Sequence, residues 1–117
     1  MANPLFDFVP LPRDENYVAI QNTYRNMASG NGTVVTGGTA IQVKATPTQA
    51  KIIDILNPTS NADVIVIGDS TVSASPLNGI PIEPGFSYRL NVTDLSKIWV
   101  NAASGNNGFT FSYNYFY

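Results

Sequence analysis

The tripeptide Gly68-Asp69-Ser70 is the segment of this 117-residue chain whose residue types could perform covalent chemistry. A serine on a tight turn can attack an ester, but it needs a base, usually histidine, to take its proton. The chain contains no histidine, and nothing in the sequence marks a lysine whose pKa burial would lower enough to replace it. We therefore interpret the tripeptide as a turn, in which Gly68 supplies backbone freedom and Asp69 and Ser70 bond their own backbone. The chain is predicted not to be an enzyme.

Carboxylates are the remaining candidates for a chemical site, and in the sequence they are scattered. Calcium could be held by Asp63, Asp69 or Asp94 together with backbone carbonyls, but no EF-hand-like spacing is present. The segment Gly30-Asn31-Gly32 lacks the lysine of a phosphate-binding loop and is interpreted as a turn. The absence of cysteine excludes thiolate metal sites and disulfides. We predict no metal and no cofactor.

Charge is scarce along the whole chain. Six basic and eight acidic residues give a net charge of −2, and the charged fraction of 12% is about half the share usual in globular proteins. No basic stripe forms, which argues against nucleic-acid binding, and no apolar run approaches the roughly 20 residues that span a bilayer. We also expect no signal peptide. A polar, uncharged surface is typical of proteins that pack against neighbours, because charges are costly to desolvate.

Hydrophobic periodicity indicates strands, since apolar residues recur at every second position. Strands are predicted at Tyr17–Ile20, 39–44, 51–56, 64–67, 86–92, 95–102 and 109–117, and residues 64–67 are apolar on both faces, as in a central strand. Residues 23–32 are rich in turn formers and are predicted to be a loop or one helical turn. The pattern predicts an all-β fold over residues 15–117, either an antiparallel β-sandwich or a small Greek-key or jelly-roll-like barrel.

Residues 1–14 differ from the rest and are predicted to form an extended N-terminal arm. Pro4, Pro10 and Pro12 favour extended backbone, yet the arm is too apolar for a solvated tail. Its five apolar side chains are predicted to contact a partner or capsid: Leu5, Phe6, Phe8, Val9 and Leu11. The alternative is an arm folded back as an edge strand of its own domain.

Aromatic residues are concentrated in the last strand. The residues predicted to serve core or oligomer packing are Trp99, Phe109, Phe111, Tyr113, Tyr115 and Tyr117. Trp99 and Phe116 point opposite to the main apolar faces of their strands, and burial under a second sheet or a neighbouring subunit is the preferred interpretation. The alternative is a carbohydrate-binding platform that would use Trp99, Tyr24 or Phe116.

One longer segment carries a family resemblance. The run NPTSNADVIVIGDSTVSASPLNGIPIEPG, followed by VTDLSKIWVNAASGN, resembles a recurring module of tailed-bacteriophage virion proteins of the small capsid decoration (cement) or head-fibre type. The resemblance covers residues 57–103. It implies a structural protein that is made in the host cytoplasm and binds the exterior of the major capsid protein lattice. Because charge is low and the aromatic-rich strands exceed what a core of this size needs, we also expect a homo-oligomer, most simply a trimer. The alternative is a carbohydrate- or receptor-binding module of a phage fibre or spike.

Overall fold

The computed structural model of the protein describes residues 26–117, so the predicted arm and the predicted strand Tyr17–Ile20 lie outside the described residues. The described chain forms ten strands: β1 (Met27–Val34), β2 (Ile41–Gln42), β3 (Ile52–Leu56), β4 (Ile65–Gly68), β5 (Ser73–Ala74), β6 (Leu77–Asn78), β7 (Ile80–Ile82), β8 (Ser87–Asn91), β9 (Trp99–Asn101) and β10 (Phe109–Phe116). A short 3-10 helix, Leu95–Lys97, precedes β9. Within residues 26–117, no helix has the length and apolarity needed to cross a membrane.

The strands form two four-stranded antiparallel sheets and one small hairpin. The first sheet has the order β1-β10-β3-β8, and the second has the order β2-β9-β4-β7, while β5 and β6 pair with each other. Apart from the β4–β7 connection and the inserted hairpin, the chain crosses from one sheet to the other at each step. This arrangement is an eight-stranded jelly roll, which confirms the predicted all-β sandwich.

The core lies between the two sheets and is made mostly of β-branched and aromatic side chains. In the first sheet, Val34, Ile53, Ile55, Phe111 and Tyr113 face inward, and each is buried. The second sheet and the 3-10 helix supply a further buried set: Ile65, Ile67, Ile82, Leu95, Ile98, Val100 and Ala102. Each fully buried apolar side chain contributes roughly 1.5–3 kcal/mol, so this cluster is the main stabilising feature of the fold.

The predicted strands 51–56, 64–67 and 109–117 are confirmed by β3, β4 and β10. The strand β4 lies between β9 and β7, which confirms that residues 64–67 form a central strand. The strand predicted at 39–44 shortens to the two residues of β2. In the segment predicted as a strand at 95–102, the first turn is the 3-10 helix, because the Asp94 side chain accepts a hydrogen bond from the Ser96 N–H and caps its start.

The prediction for residues 23–32 is wrong where the structure describes them, because residues 27–34 form the eight-residue strand β1. Gly30 and Gly32, read as turn formers, lie in that strand opposite Tyr113 and Phe111 of β10. The two aromatic rings lean across the strand pair, and a Cβ at either glycine would lie 2.5 Å from a ring atom. The glycines are therefore required by close packing within a sheet, a reason that turn propensity cannot reveal.

A buried amide network joins the two sheets at the end of β3. The Asn57 side chain is fully buried, and its Nδ2 donates to the carbonyl of Ile82 at 2.8 Å and of Asp63 at 3.1 Å. Its Oδ1 accepts from Asn61 Nδ2 at 2.7 Å, and the same nitrogen donates to the carbonyl of Thr110 at 2.6 Å. Because β7 belongs to the second sheet and β10 to the first, these bonds fix one end of the sandwich.

Candidate assembly surface

The outer face of the first sheet is broad, polar and almost uncharged. Strand register and the alternation of burial direct these side chains outward: Met27, Ser29, Asn31 and Thr33 of β1, Thr110, Ser112, Asn114 and Phe116 of β10, Ile52, Asp54 and Leu56 of β3, and Ser87, Arg89 and Asn91 of β8. We call these side chains the neutral face. Within the described strands, its charged members are Asp54 and Arg89, and they form an ion pair with each other.

The ion pair on the neutral face is held in a two-pronged geometry. Arg89 Nε donates to Asp54 Oδ1 at 2.6 Å, and its Nη2 donates to Oδ2 at 2.8 Å. These hydrogen bonds hold the pKa of Asp54 below its ordinary value. The guanidinium also lies 5.6 Å from the centre of the Phe116 ring, which is a cation–π distance. The pair therefore presents little net charge to a surface packed against this face.

An apolar row crosses one end of the neutral face. Met27, Phe116 and Ile52 are neighbours in register across β1, β10 and β3. The exposed fraction falls along the row, from 61% at Met27 on the edge strand to 9% at Ile52. The apolar row is thus open at the β1 edge, which is also where the chain enters the first sheet from residues 1–25.

The four edge strands of the two sheets differ in how they are protected from further pairing. Natural edges are blunted by being short or by carrying charged residues or proline. The edge strand β2 has two residues, β7 has three and contains Pro81, and β8 carries Arg89. By contrast β1 has eight residues with neither a charged residue nor a proline. Within residues 26–117, β1 pairs with β10 on one side and with no strand on the other, so it is the unprotected edge of the described fold.

The aromatic residues singled out from the sequence divide between the core and the surface. Phe111 and Tyr113 are buried core residues, Phe109 and Tyr115 pack against that core, and Tyr117 is 45% exposed at the end of the same ladder. Trp99 is half-buried on the outer face of the second sheet, in register with Gln42 and Gly68. Trp99 and Phe116 therefore lie on opposite outer faces of the sandwich. They cannot form one carbohydrate platform, and Tyr24 lies outside the described residues.

The Gly68-Asp69-Ser70 segment is a turn in which the Asp69 side chain bonds the local backbone, as predicted, whereas the role predicted for Gly68 is wrong. Asp69 Oδ1 accepts hydrogen bonds from the hydroxyl of Thr71 at 2.5 Å and from its N–H at 2.9 Å. These bonds hold the pKa of Asp69 below its ordinary value. Gly68 is not the source of backbone freedom, because it belongs to β4, pairs with Trp99 and is not among the glycines with positive φ. A side chain at position 68 would be crowded, because a Cβ placed there would lie 3.3 Å from the side chain of Val72.

A cleft of about 300 Å³ opens between the edge strands β7 and β8. Apolar side chains of Ile67, Ile80, Leu90, Val92 and Ile98 line it, together with Gly68, Asp69, Asn91, Thr93, Asp94 and Lys97. The cleft brings together two of the three carboxylates considered for calcium, whereas Asp63 accepts from Asn106 Nδ2 elsewhere. Asp94 Oδ1 is already occupied by the N–H groups of Thr48 and Ser96, which lower its pKa. Within residues 26–117, no group of three or more potential metal ligands is close enough to hold an ion.

Comparison with known proteins supports the fold without extending to function. No protein-family model and no curated protein matches the sequence. Over 78% of its length the chain is similar to part of the IMPa metallopeptidase from Pseudomonas aeruginosa, with a TM-score of 0.50 and 9% identity. The chain spans 12% of that enzyme, and at this identity the likeness shows the fold alone. A chain from Bacillus endospore appendages, described as disulfide-linked pili, is matched over 78% of this chain and 85% of its own, with 18% identity and a TM-score of 0.39.

Proposed function

We propose that this chain is a structural virion protein that decorates the assembled head of a tailed phage and stabilises its shell. The observation that carries the proposal is the neutral face, whose two charges neutralise each other. A face of hydroxyl, amide and apolar groups can be dehydrated against a partner at much lower cost than a charged one. Such a face suits a protein that remains packed against a fixed neighbour.

The proposal that this neighbour is the capsid shell rests on the sequence resemblance. Residues 57–103, which resemble the virion module, contribute β4, β7 and β9 of the second sheet and the β5–β6 hairpin. The neutral face lies wholly on the first sheet, and of its four strands only β8 belongs to residues 57–103. Jelly rolls occur in capsid proteins and also in lectins, so the fold alone does not choose between a cement protein and a glycan-binding module. Because Trp99 and Phe116 lie on opposite faces, a glycan site could use only one of them, and the breadth of the neutral face is what favours the cement protein.

The mechanism of stabilisation is binding linkage. A protein that binds the expanded lattice, and not the isolated capsid subunits, shifts the equilibrium toward the intact shell. Several modest contacts per oligomer add through multivalency. No catalytic group, metal or cofactor is required for this role.

The test is binding to purified, expanded heads of the encoding phage that lack this chain. We expect the full-length protein to co-sediment with these heads at saturable stoichiometry. Thr110 lies exposed near one end of the central strand β10 on the neutral face, so Thr110→Lys places one unpaired charge there. We expect it to weaken binding at least tenfold, whereas Thr46→Lys, in an exposed loop, serves as the matched control. Equal binding by both variants would show that the neutral face is not the contact.

A further inference from the structure

We infer that the β1 edge receives the proline-flanked arm segment of a second copy of this chain, residues 4–12, as an added antiparallel strand. The inference rests on the proposed role in an assembly, because a shell holds copies close enough to exchange arms. It explains why one edge of this jelly roll is long and uncharged while the other three are blunted.

The hydrogen-bonding capacity of the β1 edge follows from its pairing with β10. Asn26 and Tyr117 exchange both backbone hydrogen bonds, each at 2.9 Å. Because the direction of the backbone groups alternates along a strand, the even-numbered residues of β1 bond to β10. The odd-numbered residues direct their N–H and C=O groups away from β10, toward the open edge: Met27, Ser29, Asn31 and Thr33. Four consecutive donor–acceptor sites are therefore offered.

The arm has the complementary pattern in its sequence. Pro4, Pro10 and Pro12 all occupy even positions. In an extended segment, the backbone nitrogens of the three prolines, which carry no hydrogen, would all face one side. The N–H and C=O groups of the odd-numbered residues would face the other side and could form hydrogen bonds there. Those odd residues are Leu5, Asp7, Val9 and Leu11, which matches the four sites of β1. Proline is tolerated in a strand when its nitrogen faces outward from the sheet. The outer side of the added strand would lack three N–H donors, so a further strand could not readily pair with it.

Most side chains of the arm also fit an antiparallel register in which Leu11 lies opposite Met27, and this register places Asp7 opposite Asn31, at the rim of the neutral face. On the outer side, Leu11 would extend the apolar row of Met27, Phe116 and Ile52 and cover the exposed Met27. On the inner side, Phe6 and Phe8 would lie opposite Gly32 and Gly30, where the rings of Phe111 and Tyr113 already lean across β1. Aromatic contact across neighbouring strands is a recognised source of sheet stability.

The test uses pairs of introduced cysteines, because the chain has no cysteine of its own that could form a competing disulfide. In the proposed register Val9 lies opposite Ser29, with Cα atoms about 5.5 Å apart, a separation that a disulfide can bridge. Full-length V9C protein is mixed with full-length S29C protein under mild oxidation. We expect a disulfide between the two chains to form at least tenfold faster than with S87C, which places the acceptor on the other edge of the same sheet.

A proline variant checks the backbone bonds. Asn31→Pro removes one outward-facing N–H of β1 and leaves its β10 pairing, and Asn31→Ala is the matched control. We expect Asn31→Pro to suppress the V9C–S29C disulfide while its melting temperature stays close to that of the control. Equal disulfide rates for S29C and S87C, or closure only within a single chain carrying both V9C and S29C, would overturn the inference. If the protein binds heads but the cross-link does not form, the arm exchange is overturned and the proposed function is unaffected. If the cross-link forms but the protein does not bind heads, the arm exchange is supported and the proposed function is overturned.

Discussion

The ring of Phe111 lies over Gly32 of the neighbouring strand, and a Cβ at Gly32 would lie 2.5 Å from its Cζ atom. Phe111 is 1% exposed, so a shift of its ring would disturb the packing of the core around it. The same relationship links Tyr113 to Gly30, but there the nearest atoms are at the hydroxyl end of the ring. Because the two glycines carry no Cβ, β1 can pack closely against the aromatic rings of β10, and this packing attaches β1 to the rest of the domain.

This packing predicts that Gly32→Ala destabilises the domain. We expect a loss of about 1–3 kcal/mol in the free energy of unfolding, the usual cost of overpacking a core, and a smaller loss for Gly30→Ala. The measurement is urea unfolding followed by tryptophan fluorescence. The control is Asn31→Ala, between the two glycines and on the outer face. If Gly32→Ala is as stable as the control, the ring of Phe111 does not hold this position.

Residues 23–32 show where sequence reasoning was insufficient. Strands β3, β4 and β10 were predictable because their own side chains alternate or are wholly apolar. Strand β1 was not, since Gly30 and Gly32 look like turn formers until the rings that cover them are known, and those rings are about 80 residues further along the chain. The neutral face was likewise unpredictable, because it depends on register among four strands that are not sequence neighbours.

The buried amide of Asn57 yields a second prediction. Asn57→Ala leaves the Ile82 carbonyl and the Asn61 side chain without their present partner. Each unsatisfied buried polar group costs about 1–3 kcal/mol, so we expect a loss of at least about 2 kcal/mol, measured by chemical denaturation. Asn114→Ala removes an amide that bonds Ser29 on the exposed face and should cost much less. Equal losses in the two variants would show that the network does not join the sheets.

Acid should destabilise the domain through its depressed carboxyl pKa values. Asp54, Asp69 and Asp94 all have pKa values below the ordinary value, which is about 3.9 for an unfolded chain. A group depressed on folding stabilises the native state above its unfolded pKa, and that contribution is lost as the pH falls through the folded pKa. We expect the melting temperature to be flat near neutrality and to fall below about pH 4. Asp94→Asn retains an acceptor oxygen and should make the acid-side decline shallower, whereas an unchanged slope would contradict the account of Asp94.

Replacement of Ser70 should have no effect on function. Asp69 and Thr71 make the hydrogen bonds of this turn, so Ser70→Ala should change stability by less than about 1 kcal/mol, the scale of one hydrogen bond. Head binding should be unaltered as well. An ester-hydrolysing activity that is present in the purified chain and absent from Ser70→Ala would contradict the prediction that the chain is not an enzyme.

The most direct measurement of the central claim is an image reconstruction of virions with and without this chain. The gene is deleted from the encoding phage, and the difference density is calculated between the two particles. We predict density of jelly-roll size on the outside of the head shell, repeated over the lattice, and lost in the deletion. Heads that are identical in the two reconstructions, with the difference confined to a tail or fibre, would contradict the account.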